Sequence, residues 1–148
     1  MDDYASYDAL GLAELVRKGE VSATELLDDA VTRAHAAQSE LNCFSNIFAS
    51  YAEKQIADGL PDGPFTGVPM AAKDLGFEIK GLPITNGSLA FKGNIAPHDS
   101  VMCKRHKAAG FTLFGQTTSP EFGLTTTTES SLYGQTRNPW DTTRTSGG

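Results

Sequence analysis

Apolar positions recur at helical spacing over the first 60 residues, then give way to short apolar runs broken by glycine and proline. In DALGLAELVRKGE, Leu12, Leu15 and Val16 share one helical face and Gly19 follows Arg17 and Lys18. A helix is predicted to end there on a left-handed glycine, with cations near its C-terminus. A second helix is predicted from Ser22: Ser22 and Glu25 have capping-box spacing, and Val21 and Leu26 occupy the positions of a hydrophobic staple. Its stripe runs through Leu27, Val31 and Ala34. A third helical pattern at Phe48, Ala52 and Ile56 is predicted to be capped from Ser45 or Asn46. Such amphipathic helices need something to cover.

After Leu60 the texture changes. PDGPFTGVP reads as a loop leading into an extended segment, Val68 to Leu75, and KGLPITNGS is a further turn-rich stretch. Asp99 is expected to cap a helix bearing Val101, Met102, Arg105 and Ala109 that stops at Gly110, and Phe111 to Phe114 to form a strand. Helix, glycine and brief apolar run make an α/β pattern, in which helices cover a sheet. From Gln116 to Gly148 the chain is rich in Thr, Ser, Gly and Pro and far longer than an ordinary connection, which implies a functional or incompletely supported loop.

Composition narrows the function classes. At 148 residues the chain has the length of one domain, and 39% hydrophobic with 20% charged residues is a globular composition. Eighteen acids against 12 Lys plus Arg, a net charge of -6, disfavour nucleic-acid binding and a polybasic membrane anchor. No run approaches the roughly 18 apolar residues of a membrane span, and the acidic start MDDYASYDAL lacks the features of a signal peptide, so a cytoplasmic protein is expected. Cys43 and Cys103 lie far apart and are expected as free thiols. His35, His98 and His106 lack HExxH spacing, so no metal catalysis is expected; His35 and His106 fall in helical patterns and His98 in a loop.

One stretch is chemically unusual. In GVPMAAKDLG, Lys73 stands among small and apolar residues immediately before Asp74. In an extended chain the two side chains point to opposite faces, so they do not neutralise each other. Ala71 and Ala72 offer little to solvate an ammonium, which would favour the neutral amine, a base. The alternative is that Lys73 extends its head to water while Asp74 caps the next turn.

GVPMAAKDLG, GLPITNGS, HKAAGFTLFGQTTSPEFG and SLYGQTRNPWDTTRTSGG follow one another in the order and at about the spacing of the amidase signature family. The chain resembles that family from ELVRKGEVSATELL to its last residue. Its GPFTGVP, AAGF and RNPWD segments look most like bacterial amidases of the 6-aminohexanoate cyclic dimer hydrolase type. The resemblance implies an α/β fold, the N-terminal part of an α/β/α sandwich whose mixed central sheet is covered by helices. Residues 1–148 would then be the N-terminal portion of a single domain, with 1–60 its leading helices and 61–148 its first strands, a helix and active-site loops. The remainder of that domain is the implied partner, and a homo-oligomer is compatible with it.

The resemblance also implies a mechanism: a relay of a nucleophilic serine, a second serine in a cis peptide and a lysine, acting on a linear or cyclic carboxamide without metal or organic cofactor. Lys73 matches the lysine. Gly147-Gly148 match the opening of the family's glycine- and serine-rich run, so both relay serines are expected beyond Gly148, and the chain alone is expected to be inactive. Ser130, Ser131 and Ser146 match neither serine and read as turn residues. EFGLTTTTESS resembles the segment lining the acyl side of the substrate pocket, which makes Gly123, Leu124 and Thr125 candidate substrate-binding residues. An equally good reading of that stretch is a surface loop whose threonines bond their own backbone. Asn138-Pro139-Trp140-Asp141 is expected to be structural: Pro fixes the backbone, Trp packs, Asp caps. Arg137 and Arg144 are expected to pair with nearby acids or stand as ordinary exposed cations. Two other functions stay open: the glutaminase component of a tRNA-dependent amidotransferase, which needs partner subunits, and a non-catalytic interaction segment.

Overall fold

The computed structural model describes residues 4–148, so the acidic Met1–Asp3 start lies outside the described residues. Helix α1 spans Ala9–Lys18; Asp8 accepts a hydrogen bond from the Gly11 N–H at its start, and Gly19, at φ 71°, closes it by donating to the Leu15 and Val16 carbonyls. Helix α2, Ala23–Leu41, opens on the reciprocal capping box expected at Ser22 and Glu25. Val21 and Leu26 meet in one apolar cluster with Leu12, Ala13 and Val68, so the staple also fastens α2 to α1.

The predicted cap of the third helix is corrected. Phe44–Ile47 form strand β1, and α3, Ala49–Asp58, begins after Phe48 with no side-chain cap. Tertiary pairing outweighs capping preference here: Phe44 and Ile47 pack against the core under α2, while Ser45 and Asn46 donate to the Gln116 carbonyl and side-chain oxygen respectively.

Strand β2, Pro69–Lys73, falls inside the predicted extended segment, and β3, Thr112–Thr117, runs three residues past the predicted FTLF. The sheet has the order β1-β3-β2, with β3 antiparallel to β1 and parallel to β2. Pairing steps from Met70 opposite Leu113 to Ala71 opposite Gly115, leaving Phe114 as an extra residue in a bulge. Leu113 packs with Ala72, Phe77, Ile79 and Cys103, whereas Phe114 packs with Leu27, Ala30 and Ala34 of α2 and Ala52 of α3. Adjacent strand residues thus enter separate cores, and both sheet faces are covered, a mixed α/β architecture.

The connection from β2 to β3 contains helix α4, Val101–Ala108. Its cap is Ser100, which accepts from the Cys103 N–H, and not Asp99 as the sequence suggested. The Asp99 carboxylate is engaged elsewhere, by the Lys80 N–H and the Lys107 ammonium, each at 2.7 Å. Beyond Thr117 the long polar stretch is not structureless. It carries two small antiparallel ribbons, β4 (Glu129–Ser130) with β5 (Gly134–Gln135), and β6 (Arg137–Asn138) with β7 (Asp141–Thr145). Among the described residues no helix is long and apolar enough to cross a membrane.

Candidate active site

Ligands of α/β sheets gather at the carboxyl ends of parallel strands. Lys73 closes β2 at that end, paired with Thr117, the last residue of β3. Side chains alternate there: Ala72 and Asp74 are buried and Lys73 between them is exposed. The Lys73 ammonium has no hydrogen-bond or ion-pair partner among the described residues. Ala71, on the same side of the strand, packs against the α2 core, while Lys73 stands beyond it. The apolar enclosure expected around Lys73 is therefore not built by residues 4–148.

Asp74 is wholly buried, at 0% exposure. One carboxylate oxygen accepts from the Thr85 N–H at 2.8 Å and the Asn86 N–H at 3.3 Å; the other accepts from the Thr85 hydroxyl at 2.5 Å. Its backbone N–H donates to the Thr117 carbonyl, and its own carbonyl accepts from Ser119 Oγ at 3.0 Å. Asp74 therefore does not cap the turn beside it. It holds a turn eleven residues away.

Thr85 extends the contact. Its hydroxyl lies 3.2 Å from Tyr133 Oη. Burial, with the Asp74 carboxylate adding to it, holds the Tyr133 phenol above its ordinary value. Tyr133 is anchored in turn, its N–H donating to Ser130 Oγ and its carbonyl accepting from Asn42 Nδ2 at 2.7 Å. Thr118 and Thr136 hydroxyls meet at 2.7 Å, and Thr136 donates to the Asn42 carbonyl, so the β4–β5 ribbon is fastened to the rim of the sheet.

The turn that Asp74 grips is shaped by Asn86, at φ 52°, and Gly87, at φ 70°. A Cβ on Gly87 would come within 2.5 Å of the Ser119 carbonyl oxygen. Phe122, also left-handed at φ 52°, donates its N–H to the Asn86 carbonyl, and its ring meets Phe91 edge-on at 5.6 Å. Such a conformation costs an aromatic residue roughly 1–2 kcal/mol and persists only where surroundings impose it.

Of the three candidate pocket residues, Gly123 abuts the lysine segment: a Cβ there would lie 2.9 Å from the Leu75 side chain. Leu124 projects outward, 81% exposed. The Thr125 hydroxyl donates to the Thr127 carbonyl, the own-backbone bond of the surface-loop reading. Ser130 and Ser146 are occupied with local backbone groups. The Thr128 hydroxyl donates to the Gly147 carbonyl, and Gly148 lies against the Thr125 carbonyl, so Gly147 and Gly148 run beside the 125–128 segment. Trp140 corrects an expectation, since at 96% exposure it packs against nothing among the described residues. Asp141 does organise its turn, accepting from the Thr143 N–H and hydroxyl and from Arg144.

Sequence reasoning missed the Asp74–Thr85–Tyr133 chain. The parity of β2 carried a signal, because Asp74 shares the inward side with Ala72; nothing in the sequence pointed to Thr85 or Tyr133 as its partners. Elsewhere, burial pushes the Cys103 thiol up to about 11, as befits an inert core cysteine. Both cysteines are free. No group of three or more His, Cys, Asp or Glu among the described residues is disposed to hold a metal ion. A surface cleft of about 480 Å³ lined by Glu20, Glu25, Asp28 and Asp29 lies along α2, away from Lys73.

A model of the amidase family matches residues 25–148. The 6-aminohexanoate-cyclic-dimer hydrolase of Paenarthrobacter ureafaciens is 41% identical over 143 residues, 95% of this chain and 29% of that protein. One component of the glutamyl-tRNA(Gln) amidotransferase of Salinispora arenicola is 37% identical over 155 residues, 100% of this chain and 31% of that protein. A solved structure of 6-aminohexanoate cyclic dimer hydrolase complexed with substrate matches with a TM-score of 0.92 at 39% identity, covering 100% of this chain and 30% of that one. The chain thus spans under a third of the length of these relatives.

Proposed function

Because the chain belongs to the amidase family, we propose that it is the N-terminal portion of a cytoplasmic hydrolase that cleaves the carbon–nitrogen bond of a linear or cyclic carboxamide. Lys73 acts as the base of a Ser-Ser-Lys relay whose two serines lie beyond Gly148. The observation that carries this reading is the standing of Lys73: it ends a strand at the carboxyl edge of a parallel pair, its ammonium exposed and without a hydrogen-bond or ion-pair partner among the described residues, beside a buried and fully bonded Asp74.

In the reaction the Lys73 amine accepts a proton from the bridging serine, which takes one from the nucleophilic serine as its oxygen attacks the amide carbonyl. The C–N bond breaks, the relay returns a proton to the leaving amine, and an acyl-enzyme remains. Water then attacks the ester, the relay again removing its proton, and a carboxylate leaves. Backbone N–H groups facing the developing oxyanion contribute several kcal/mol, on the order of 3. Gly123, beside Leu75, with Leu124 and Thr125 beyond it, forms part of the acyl-side wall.

The test is an assay of the longer protein on linear and cyclic carboxamides, the 6-aminohexanoate cyclic dimer among them. Lys73→Ala should lower kcat by about 10²–10⁴-fold, the usual contribution of acid–base catalysis, and residues 1–148 alone should hydrolyse nothing. Unchanged turnover in Lys73→Ala refutes the base role.

The match of the entire chain to an amidotransferase component supports a second reading, a glutaminase-type subunit. It predicts ammonia release from glutamine that depends on a tRNA-binding partner, where the first reading predicts partner-independent amide hydrolysis.

A further inference from the structure

We propose that Asp74, Thr85 and Tyr133 form a brace that positions Lys73 relative to the segment running through Gly147 and Gly148. The proposal rests on the base role of Lys73 given above and adds positioning residues to it. Asp74 is a buried carboxylate that touches no candidate reacting group. Its oxygens accept three hydrogen bonds from the 85–86 turn and its backbone is tied to Thr117 and Ser119, so both side chain and main chain of the residue after Lys73 are fixed. The Thr85 hydroxyl joins that carboxylate to Tyr133, 48 residues on, and the Tyr133 backbone is bonded at both its N–H and its carbonyl.

From Tyr133 the connection continues through covalent chain and two further hydrogen bonds. The Ser146 N–H donates to the Thr136 carbonyl, and Thr128 donates to the Gly147 carbonyl. One end of the brace thus sets the backbone of Lys73, and the other sets the ribbon against which residues 146–148 lie. Whatever follows Gly148 inherits its starting position from the same network. Misplacing a reacting group by about 1 Å can cost on the order of a hundredfold in rate, so loosening the brace should reduce turnover without removing any group that touches substrate.

The experiment uses the longer protein and the carboxamide that the wild type cleaves fastest. Tyr133→Phe deletes one oxygen at the far end; Thr85→Val deletes the linking hydroxyl, and Thr85→Ser restores it. The expected result is a fall in kcat of about tenfold or more for Thr85→Val and several-fold for Tyr133→Phe. KM should be nearly unchanged, and Thr85→Ser should recover most of the rate. A loss of packing alone would not restore turnover with the smaller serine. Should Thr85→Val fail to fold, Tyr133→Phe and Thr85→Ser decide the matter. If Lys73→Ala is inactive while Tyr133→Phe and Thr85→Val turn over at the wild-type rate, the brace is refuted and the base role stands. If Lys73→Ala is fully active, or the wild type cleaves no amide offered, both are refuted.

Discussion

At the scale of single residues, a left-handed backbone fixes Gly87 and a paired carboxylate fixes Asp99. Gly87 combines a left-handed backbone with a Ser119 carbonyl 2.5 Å from where a Cβ would stand. Gly87→Ala is expected to destabilise the protein by about 2–3 kcal/mol, read from urea unfolding, because strain and overlap act together. Asp99 gives a pH prediction. Burial works against its carboxylate, but hydrogen bonds from Lys107 and the Lys80 N–H bring it below the ordinary value; burial also works against the Lys107 ammonium, which its bonds to Asp99 and Tyr51 hold above the ordinary lysine value. A depressed acid contributes stability that is complete above its unfolded value and disappears as pH falls through the folded one. A raised base contributes stability that is complete below its unfolded value and disappears as pH rises through the folded one. The stability difference between wild type and Asp99→Asn should therefore be level, at about 1–2 kcal/mol, from about pH 5 to pH 10, and should shrink below about pH 4. A difference unchanged at pH 3 would contradict the assignment.

At the scale of elements, local signals were legible where local chemistry decides the outcome. Gly19 and the Ser22–Glu25 box lie in the structure as their spacing predicts, and β2 falls within the predicted extended segment. Ser22→Ala should lower stability by about 1 kcal/mol, since it removes the side-chain acceptor of the Glu25 N–H. Elements settled by distant pairing were not legible. β1 exists because Phe44 to Ile47 pairs with a strand some 70 residues later, and Ser45 and Asn46 read alone as helix caps. The ribbons after Glu129 are strands of two to five residues without apolar alternation, so no periodicity betrays them. The same limit applies to the candidate site: Lys73 stood out by its neighbours, whereas Thr85 and Tyr133 become partners of Asp74 only through the fold.

At the scale of the molecule, residues 4–148 leave sheet edges and apolar side chains exposed, and on the proposed reading the rest of the domain covers them. Strands β1 and β2 form the two edges of the sheet. An apolar groove of about 340 Å³ opens beside Phe44, Pro69, Phe114 and α2, and Leu89, Phe91, Phe122 and Leu124 are exposed near the candidate site. Uncovered edges and apolar faces promote association. Residues 1–148 alone are expected to elute as a self-associated species and to bind an apolar dye strongly. The longer protein should do neither, and a monomeric, dye-silent 1–148 would show that these surfaces need no cover.

The central claim, that Lys73 takes up a proton during amide cleavage, separates from a merely electrostatic role by one substitution. Arginine keeps the positive charge at position 73 but does not surrender its proton. Steady-state hydrolysis by the longer protein, compared with its Lys73→Arg and Lys73→Ala forms, should show both variants depressed to a similar residual rate. A Lys73→Arg enzyme that retains most of the wild-type kcat would contradict the account.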